Sequence, residues 1–327
     1  MNPIRVATRG AALLCTAVGL VAGSAGALAQ QIYPSRAITL VSPAPPGGGT
    51  DAIARALADA MGRRASVPVV VENRPGAYSQ IATAHVAQAA PDGYTLLLTA
   101  SGHTVNPAVF RRLPYDTRSA FVPIARLATS PAVLVAHPGL QVGSIPALRD
   151  LSRNHPDKVT FASSETSIQL MTSELGMQLA HPPTIAYYKG TGPSINDVLG
   201  GHVGFAITSI ASVLPFLQDG RLTAVAVTGT RRTPALPGVA TFQEQGLEGL
   251  DTTVWQGVLA PAGTPEAVTT WLNAAINAAL ADPAVIERLR QLAYEPAGGT
   301  SASFAAFLEE DLARQSALVA KAGLPLQ

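Results

Sequence analysis

Apolar residues along the chain fall into two alternating kinds of segment. Ala37 to Ser42 is a short apolar run that reads as a buried strand, and Pro43 to Gly49 breaks it with prolines and glycines. Ile53, Leu57 and Met61 then recur at four-residue steps, the stripe of an amphipathic helix. Thr50 is placed to cap that helix and Asp51 to put a negative charge in its first turn. Val67 to Val71, Ile81 to Ala89 and Tyr94 to Ala100 continue as strand, helix and strand. This βαβαβ rhythm predicts a mainly parallel sheet covered on both faces.

A second unit of the same kind begins after Pro131. Its strands are expected at Ala132 to Ala136, Val159 to Ser163, Thr184 to Tyr188, Val203 to Thr208 and Leu222 to Thr228, with a helix exit at Asp219-Gly220. From Trp255 onward, a strand at Gly257 to Ala260 precedes three amphipathic helical stretches that end at Ala322. Those helices need a sheet to pack on, and the first unit is the expected host. The pattern therefore predicts two α/β lobes, residues 30–127 plus 254–327 and residues 128–253. They are joined by strands crossing near Ile124 to Pro131 and Leu250 to Gly257. Two lobes with two crossovers enclose a cleft that hinge motion can close.

The N-terminus changes the compartment. Arg5 and Arg9 precede an uncharged run from Ala11 to Leu28, and Ala27-Leu28-Ala29 offers the small residues of a signal-peptidase site. Residues 1–29 read as a cleaved export signal, and an uncleaved membrane anchor is the competing reading of the same run. Removing 29 of the 327 residues leaves 298 without a cysteine, because Cys15 is the only one, so no disulfide framework is available. Arg5 and Arg9 leave with the signal, so 20 of the 22 basic residues remain against 21 acidic ones. That balance argues against nucleic acid as a partner. Charged residues make up 13% of the chain and small apolar ones dominate, so a large core is available and disorder is excluded.

Enzyme motifs are mostly missing. There is no Gly-x-Ser-x-Gly elbow, Walker loop, His-Glu-x-x-His or Cys-x-x-Cys, and the six histidines stand apart, so neither metal nor cofactor is expected. What stands out is Ala44-Pro45-Pro46-Gly47-Gly48-Gly49-Thr50-Asp51. Glycines let the backbone approach a ligand, and the following helix presents unpaired N–H groups, which is the physics of an anion site. The plainer reading is a tight strand-to-helix turn. Tyr188-Lys189-Gly190-Thr191 repeats the arrangement in the second unit, with Lys189, one of three lysines, able to add a positive charge or simply to be solvated.

Ser163-Ser164-Glu165-Thr166-Ser167 also follows a strand, so its hydroxyls suit either an anion or plain helix capping. Glu165 would repel a bound carboxylate and would suit an amine on the ligand. Ser101-Gly102-His103-Thr104 carries the one histidine at a strand end, where a polar loop residue is the plainer reading.

The chain resembles the Bug (TctC-like) family, the extracytoplasmic receptors of tripartite tricarboxylate transporters. The likeness covers nearly all of the sequence after the signal. It is carried by Tyr33-Pro34-Ser35-Arg36, Pro45 to Asp51, Val70-Val71-Glu72-Asn73-Arg74-Pro75-Gly76, Ala90-Pro91-Asp92-Gly93-Tyr94, Leu113-Pro114-Tyr115-Asp116, Tyr188-Lys189-Gly190, Leu199-Gly200-Gly201 and Ala260 to Pro265. The resemblance implies a type II periplasmic binding protein of Venus-flytrap form, with a small carboxylate held between the lobes. Implied partners are membrane permease subunits, and the chain itself is expected to be a soluble periplasmic monomer that is not an enzyme.

By position the resemblance carries over Pro45 to Asp51, Ser101 to Thr104, Ser163 to Ser167 and Tyr188 to Gly192. Three departures lie near the implied cleft. Gly76-Ala77-Tyr78-Ser79-Gln80-Ile81-Ala82 replaces a more glycine-rich Gly-Ala-Gly-Gly-Asn-Ile-Gly. The loop after Ala162 lacks the usual glycines, is about two residues short and holds Glu165. Thr208 stands where aspartate is common. An exported sensor feeding a signalling kinase is one alternative. An exported hydrolase with Ser101 as nucleophile and His103 as base is another, although no third group to orient the histidine is identifiable.

Overall fold

A computed structural model describes residues 33–188, 190–250 and 253–322. The export signal proposed for residues 1–29 and the charge proposed for Lys189 lie outside the described residues.

The first apolar run becomes β1 (Ile38–Ser42), followed by α1 (Gly49–Ala65), β2 (Val69–Asn73), α2 (Gln80–Ala87), β3 (Thr95–Ala100), α3 (Gly102–Val109) and the long β4 (Phe121–Ser130). After Pro131 come β5 (Ala132–Ala136), α4 (Ile145–Asn154), β6 (Thr160–Ser163), α5 (Thr166–Gly176), β7 (Thr184–Tyr187), α6 (Thr191–Leu199), β8 (Phe205–Ser209), α7 (Ile210–Gln218) and β9 (Thr223–Val227). The chain then returns through β10 (Val254–Pro261), α8 (Glu266–Leu280), α9 (Pro283–Gln291), β11 (Glu295–Gly298) and α10 (Ser301–Ala322).

These strands form two sheets, in the orders β11-β4-β10-β3-β1-β2 and β7-β6-β8-β5-β9. The expectation of mainly parallel sheets is corrected, because both are mixed. In the first, β2, β1 and β3 are parallel while β10 runs antiparallel to β3 and β4. In the second, β7, β6 and β8 are parallel and β5 runs antiparallel to β8 and β9. Parallel neighbours need a long crossover, which the helices supply. The chain leaves the first sheet along β4, with only Pro131 before β5, and re-enters along β10. These two long strands lie side by side in opposite directions, so that edge of the sheet is antiparallel.

Burial follows the pattern. All five residues of β5 are buried, as are Leu96, Leu97 and Leu98 of β3, which is why these strands show no alternation. The first lobe's interior gathers Val41, Leu97, Phe121, Trp255, Leu259, Phe304 and Leu308. Trp255 meets Phe304 edge to face at 5.7 Å. In the second lobe Phe161 stacks on Phe205 at 5.2 Å, and each such buried ring contributes roughly 2–3 kcal/mol of transfer free energy.

The C-terminal helices do pack on the first sheet; Asn273 of α8, for instance, donates to the Ile124 carbonyl of β4 at 2.7 Å. The last turns of α10 go further. Val319 joins Val105 and Val109 of α3 and Leu170 of α5 in a small cluster that ties the two lobes together. Among the described residues no helix is long and apolar enough to cross a membrane.

Candidate functional site

The turn after β1 is held from within. Gly47 adopts φ +87°, a conformation that L side chains rarely take, and Gly48, extended, is the N-cap of α1. The expectation that Thr50 caps the helix is thereby corrected: Thr50 lies inside the first turn, and its Oγ1 accepts from Gln256 Nε2 at 3.1 Å.

Asp51 is buried and supports the turn. Its Oδ2 accepts the Gly47 N–H at 3.0 Å and Arg55 Nε at 2.9 Å, and its Oδ1 accepts Asn73 Nδ2 at 2.8 Å. Asn73 Nδ2 also reaches the Ala44 carbonyl at 2.9 Å. Burial alone would raise the Asp51 pKa, but hydrogen bonds from Arg55, Gly47 and Asn73 outweigh it and hold the carboxyl below its usual range. Both oxygens are committed to protein donors. Asp51 shapes the turn from behind.

In the second lobe, Gly190 caps α6 at φ +111°, with no side-chain cap and nothing within 4 Å of where its Cβ would be. Thr191 opens α6, and its carbonyl accepts Ser194 Oγ. Tyr188 is turned aside, its hydroxyl donating to Asp197 at 2.6 Å, and burial and that partner push its pKa up to about 12. Thr208 is 4% exposed within β8, and the Ser163 Oγ at the end of β6 is buried with no partner.

Glu165 is the N-cap residue of α5 but makes no capping hydrogen bond. Its side chain is open to water, yet enough protein surrounds it that desolvation raises its pKa, the combination found deep in a cleft.

The strand ends of the two lobes face each other. A Cβ on Gly49, after β1, would lie 3.9 Å from the Ala211 Cβ of α7, which follows β8. One on Gly102, after β3, would lie 3.5 Å from the Thr166 Oγ1 of α5, which follows β6. Thr166 Oγ1 also bonds Asn106 Oδ1 of α3 at 3.0 Å. A third link is electrostatic. Burial pushes the Tyr294 phenol up to about 12, a hydrogen bond from Gln256 opposes the rise, and the Glu165 charge adds to it. Gln256 thus links Thr50 and Tyr294, donating to the Tyr294 hydroxyl at 3.3 Å, and the Glu165 charge from the second lobe is felt at that phenol.

Sequence reasoning missed Gln256 and Tyr294. A lone amide inside the otherwise apolar strand Val254–Pro261, next to a crossing point, was the one available signal. Its Oε1 is buried without a partner.

The Ser101 to Thr104 stretch is corrected more strongly. It is not a loop but the entry to α3, and it turns inward. Ser101 Oγ accepts the Trp255 N–H at 2.8 Å, and Thr104 Oγ1 donates to Asp311 at 2.6 Å. His103 is buried within the first lobe, where desolvation lowers its pKa to about 4. Ser101 and Ser167 do meet, but at a cavity of about 10 Å³ shared with Glu174, Trp255 and Gln315. Such a space holds about one water, not an organic acid. Ser101 and His103 also lack the mutual hydrogen bond that a nucleophile and its base require. Among the described residues no group of three or more His, Cys, Asp or Glu side chains is placed to hold a metal ion.

Residues 53–324 match the tripartite tricarboxylate transporter family receptor. The chain belongs to this receptor family. Among its relatives, the UPF0065 protein of the tcbD-tcbE intergenic region of Pseudomonas sp. strain P51 is 37% identical over 310 residues, covering 93% of this chain and 91% of that one. The periplasmic binding protein BugD is 32% identical with a TM-score of 0.82, covering 90% of this chain and 100% of its own. R. palustris Rpa4515, solved with adipate, is 30% identical with a TM-score of 0.84, covering 90% and 99%. MatC from Rhodopseudomonas palustris, solved with bound malate, is 31% identical with a TM-score of 0.78, covering 88% and 100%. The fold is accordingly that of the periplasmic binding proteins of this receptor family.

Proposed function

We propose that this protein is a periplasmic receptor that captures a small carboxylate by closing its two lobes and delivers it to the membrane permease subunits of a tripartite transporter. The observation that carries the reading is the opposition of strand ends, Gly49 against Ala211 and Gly102 against Thr166, and it is supported by a glycine without a side-chain cap at the start of α1 in one lobe and of α6 in the other. Unpaired N–H groups and the helix dipole favour an anion there. A ligand touching both lobes stabilises the closed form by its differential contacts alone. The malate and adipate bound by relatives support dicarboxylates as first candidates.

In this reading the ligand-facing set is Gly47, Gly48, Gly49 and Thr50 from the first lobe and Ser163, Ser164, Glu165, Gly190 and Thr191 from the second, with Gln256 and Tyr294 beneath. A thermal-shift panel of carboxylic acids followed by calorimetry tests it. Saturable binding of at least one small carboxylate is expected, abolished by Gly48→Leu in a chain that still folds. Unchanged affinity in that variant removes the site. Catalytic turnover of an ester or amide lost on His103→Ala overturns the receptor reading.

A further inference from the structure

Three successive residues between β2 and α2, Ala77, Tyr78 and Ser79, stand at φ 45°, 53° and 73°. A left-handed conformation is unfavourable for an L side chain, so three in a row persist only where neighbouring groups hold them. Thr83 and Asn106 do so here. Thr83 Oγ1 of α2 donates to the Ser79 carbonyl at 2.8 Å, and Asn106 Nδ2 of α3 donates to the Tyr78 carbonyl at 2.9 Å. The exposed Tyr78 ring leans on Phe110, at the end of α3, with centroids 5.5 Å apart.

Thr83 belongs to the helix that the turn enters, so its bond stays within the first lobe. Asn106 reaches further. It is fully buried, and its Oδ1 accepts the hydroxyl of Thr166, the first residue of α5 in the second lobe, at 3.0 Å. A carbonyl accepts only from the Nδ2 side of the amide, which leaves Oδ1 for the hydroxyl, so the two bonds fix one orientation of the side chain. A single residue is thereby bonded at once to the strained turn and to the opposite lobe.

We propose that Asn106 is a closure latch: it couples the contact between the lobes to the left-handed turn Ala77–Ser79, whose strain acts as a spring that reopens the cleft. The device, which rests on the receptor reading above, regulates that same cleft. Thr166 follows Glu165 directly, so the bond to Asn106 lies one residue from the proposed ligand.

Separating the lobes takes Thr166 away from Asn106. The amide then loses the partner that sets its orientation, its hold on the Tyr78 carbonyl loosens, and the turn relaxes towards negative φ. Closure reverses these steps, so part of the free energy of ligand contact goes into restoring the strain, and affinity is lower than the contacts alone would give. Glycine takes positive φ freely. Because both holding bonds end on backbone carbonyls, Ser79→Gly weakens the spring and leaves the latch in place.

Hydrogen exchange at the Gln80 amide, which donates to the Ala77 carbonyl, reads opening of the turn. In the ligand-free protein Thr166→Val is expected to speed that exchange at least fivefold, and Thr166→Ser, which keeps the hydroxyl, to leave it unchanged. Calorimetry with malate and adipate reads the spring. Ser79→Gly is expected to tighten whichever of them binds the parent about fivefold, and the gain to disappear when Thr166→Val is added. Gln80 exchange indifferent to Thr166→Val overturns the latch, and this arm decides it even if neither acid binds the parent, a result that counts against the receptor reading instead. Unchanged affinity in Ser79→Gly, or a gain that survives Thr166→Val, overturns the coupling of strain to closure.

Discussion

The glycine turn before α1 and the one before α6 open the same kind of helix end with different support. At the first, Asp51 ties the Gly47 N–H to Arg55 and Asn73, and Asn73 ties the loop to Ala44, so the turn is built before any ligand arrives. At the second, Gly190 stands at φ +111° with no side-chain cap and open space around it. The contrast implies a division of labour. Under the proposed function, the first lobe presents a preorganised anion cradle, and the second supplies a turn whose geometry is completed as the lobes close.

The largest effect should come from removing the brace. Asp51→Ala strips the acceptor from three donors in a buried position, and a loss on the order of 3 kcal/mol in stability is expected. Carboxylate affinity should fall about thirtyfold or more, because a floating Gly47 turn no longer aims its amides. Denaturant melts and calorimetry on the same sample separate the two losses. Full affinity in a folded Asp51→Ala chain would mean that the turn needs no brace.

The acid limb carries the same information. Because the folded-state pKa of Asp51 lies below its ordinary 3.8, the stabilisation is present above that value and lost as pH falls below it through the folded pKa. An Asp51→Asn chain should lack that part of the acid sensitivity.

Gly190→Ala should act more mildly. No atom clashes with the new Cβ, but φ +111° with ψ 164° is a conformation that essentially only glycine takes, at a cost of about 1–3 kcal/mol for an L residue, so binding should weaken roughly tenfold by biasing the second turn away from its liganded shape. Gly192→Ala is the matched control, since Gly192 also faces open space but has ordinary φ, and no measurable change is expected. Equal losses at both positions would erase the distinction between backbone conformation and steric access.

Much of this architecture was legible because it is local. β5 falls where the apolar run places it, and α1 buries the expected Ile53, Leu57 and Met61. Both glycine turns show themselves through composition. The failures are tertiary. The entry to α3 reads as a polar loop because Ser101, His103 and Thr104 are buried by partners far along the chain, such as Asp311, 207 residues from Thr104. Gln256 meets Thr50 across 206 residues, and β11 is a four-residue strand containing Pro296 and Gly298, with no period to detect. At Ala77, Tyr78 and Ser79 three successive non-glycine residues occupy positive φ, and at the last two of these positions the family pattern has glycines that take such a geometry freely. The substitution is visible in sequence, and the conformation it retains is not.

The smallest predicted effect is also the one with the most informative sign. Glu165 is on the less braced side of the cleft, where desolvation lifts its carboxyl pKa above the ordinary 4.5. Between 4.5 and that raised value the folded chain holds more protons than the unfolded one, so this contribution to stability declines as pH rises through the window. Under the proposed function, the same ionisation sets a negative charge beside a bound dicarboxylate. Glu165→Gln should therefore strengthen malate or adipate binding about three- to fivefold at pH 7, with the parent catching up as pH falls through the Glu165 pKa. It should also lower the Tyr294 pKa, to which the Glu165 charge now adds. Calorimetry at several pH values reads the first effect and ultraviolet titration of the phenol the second. A Gln variant that binds more weakly would reverse the sign and make Glu165 the partner of a ligand ammonium, because only a cation gains from the charge that a second carboxylate must oppose.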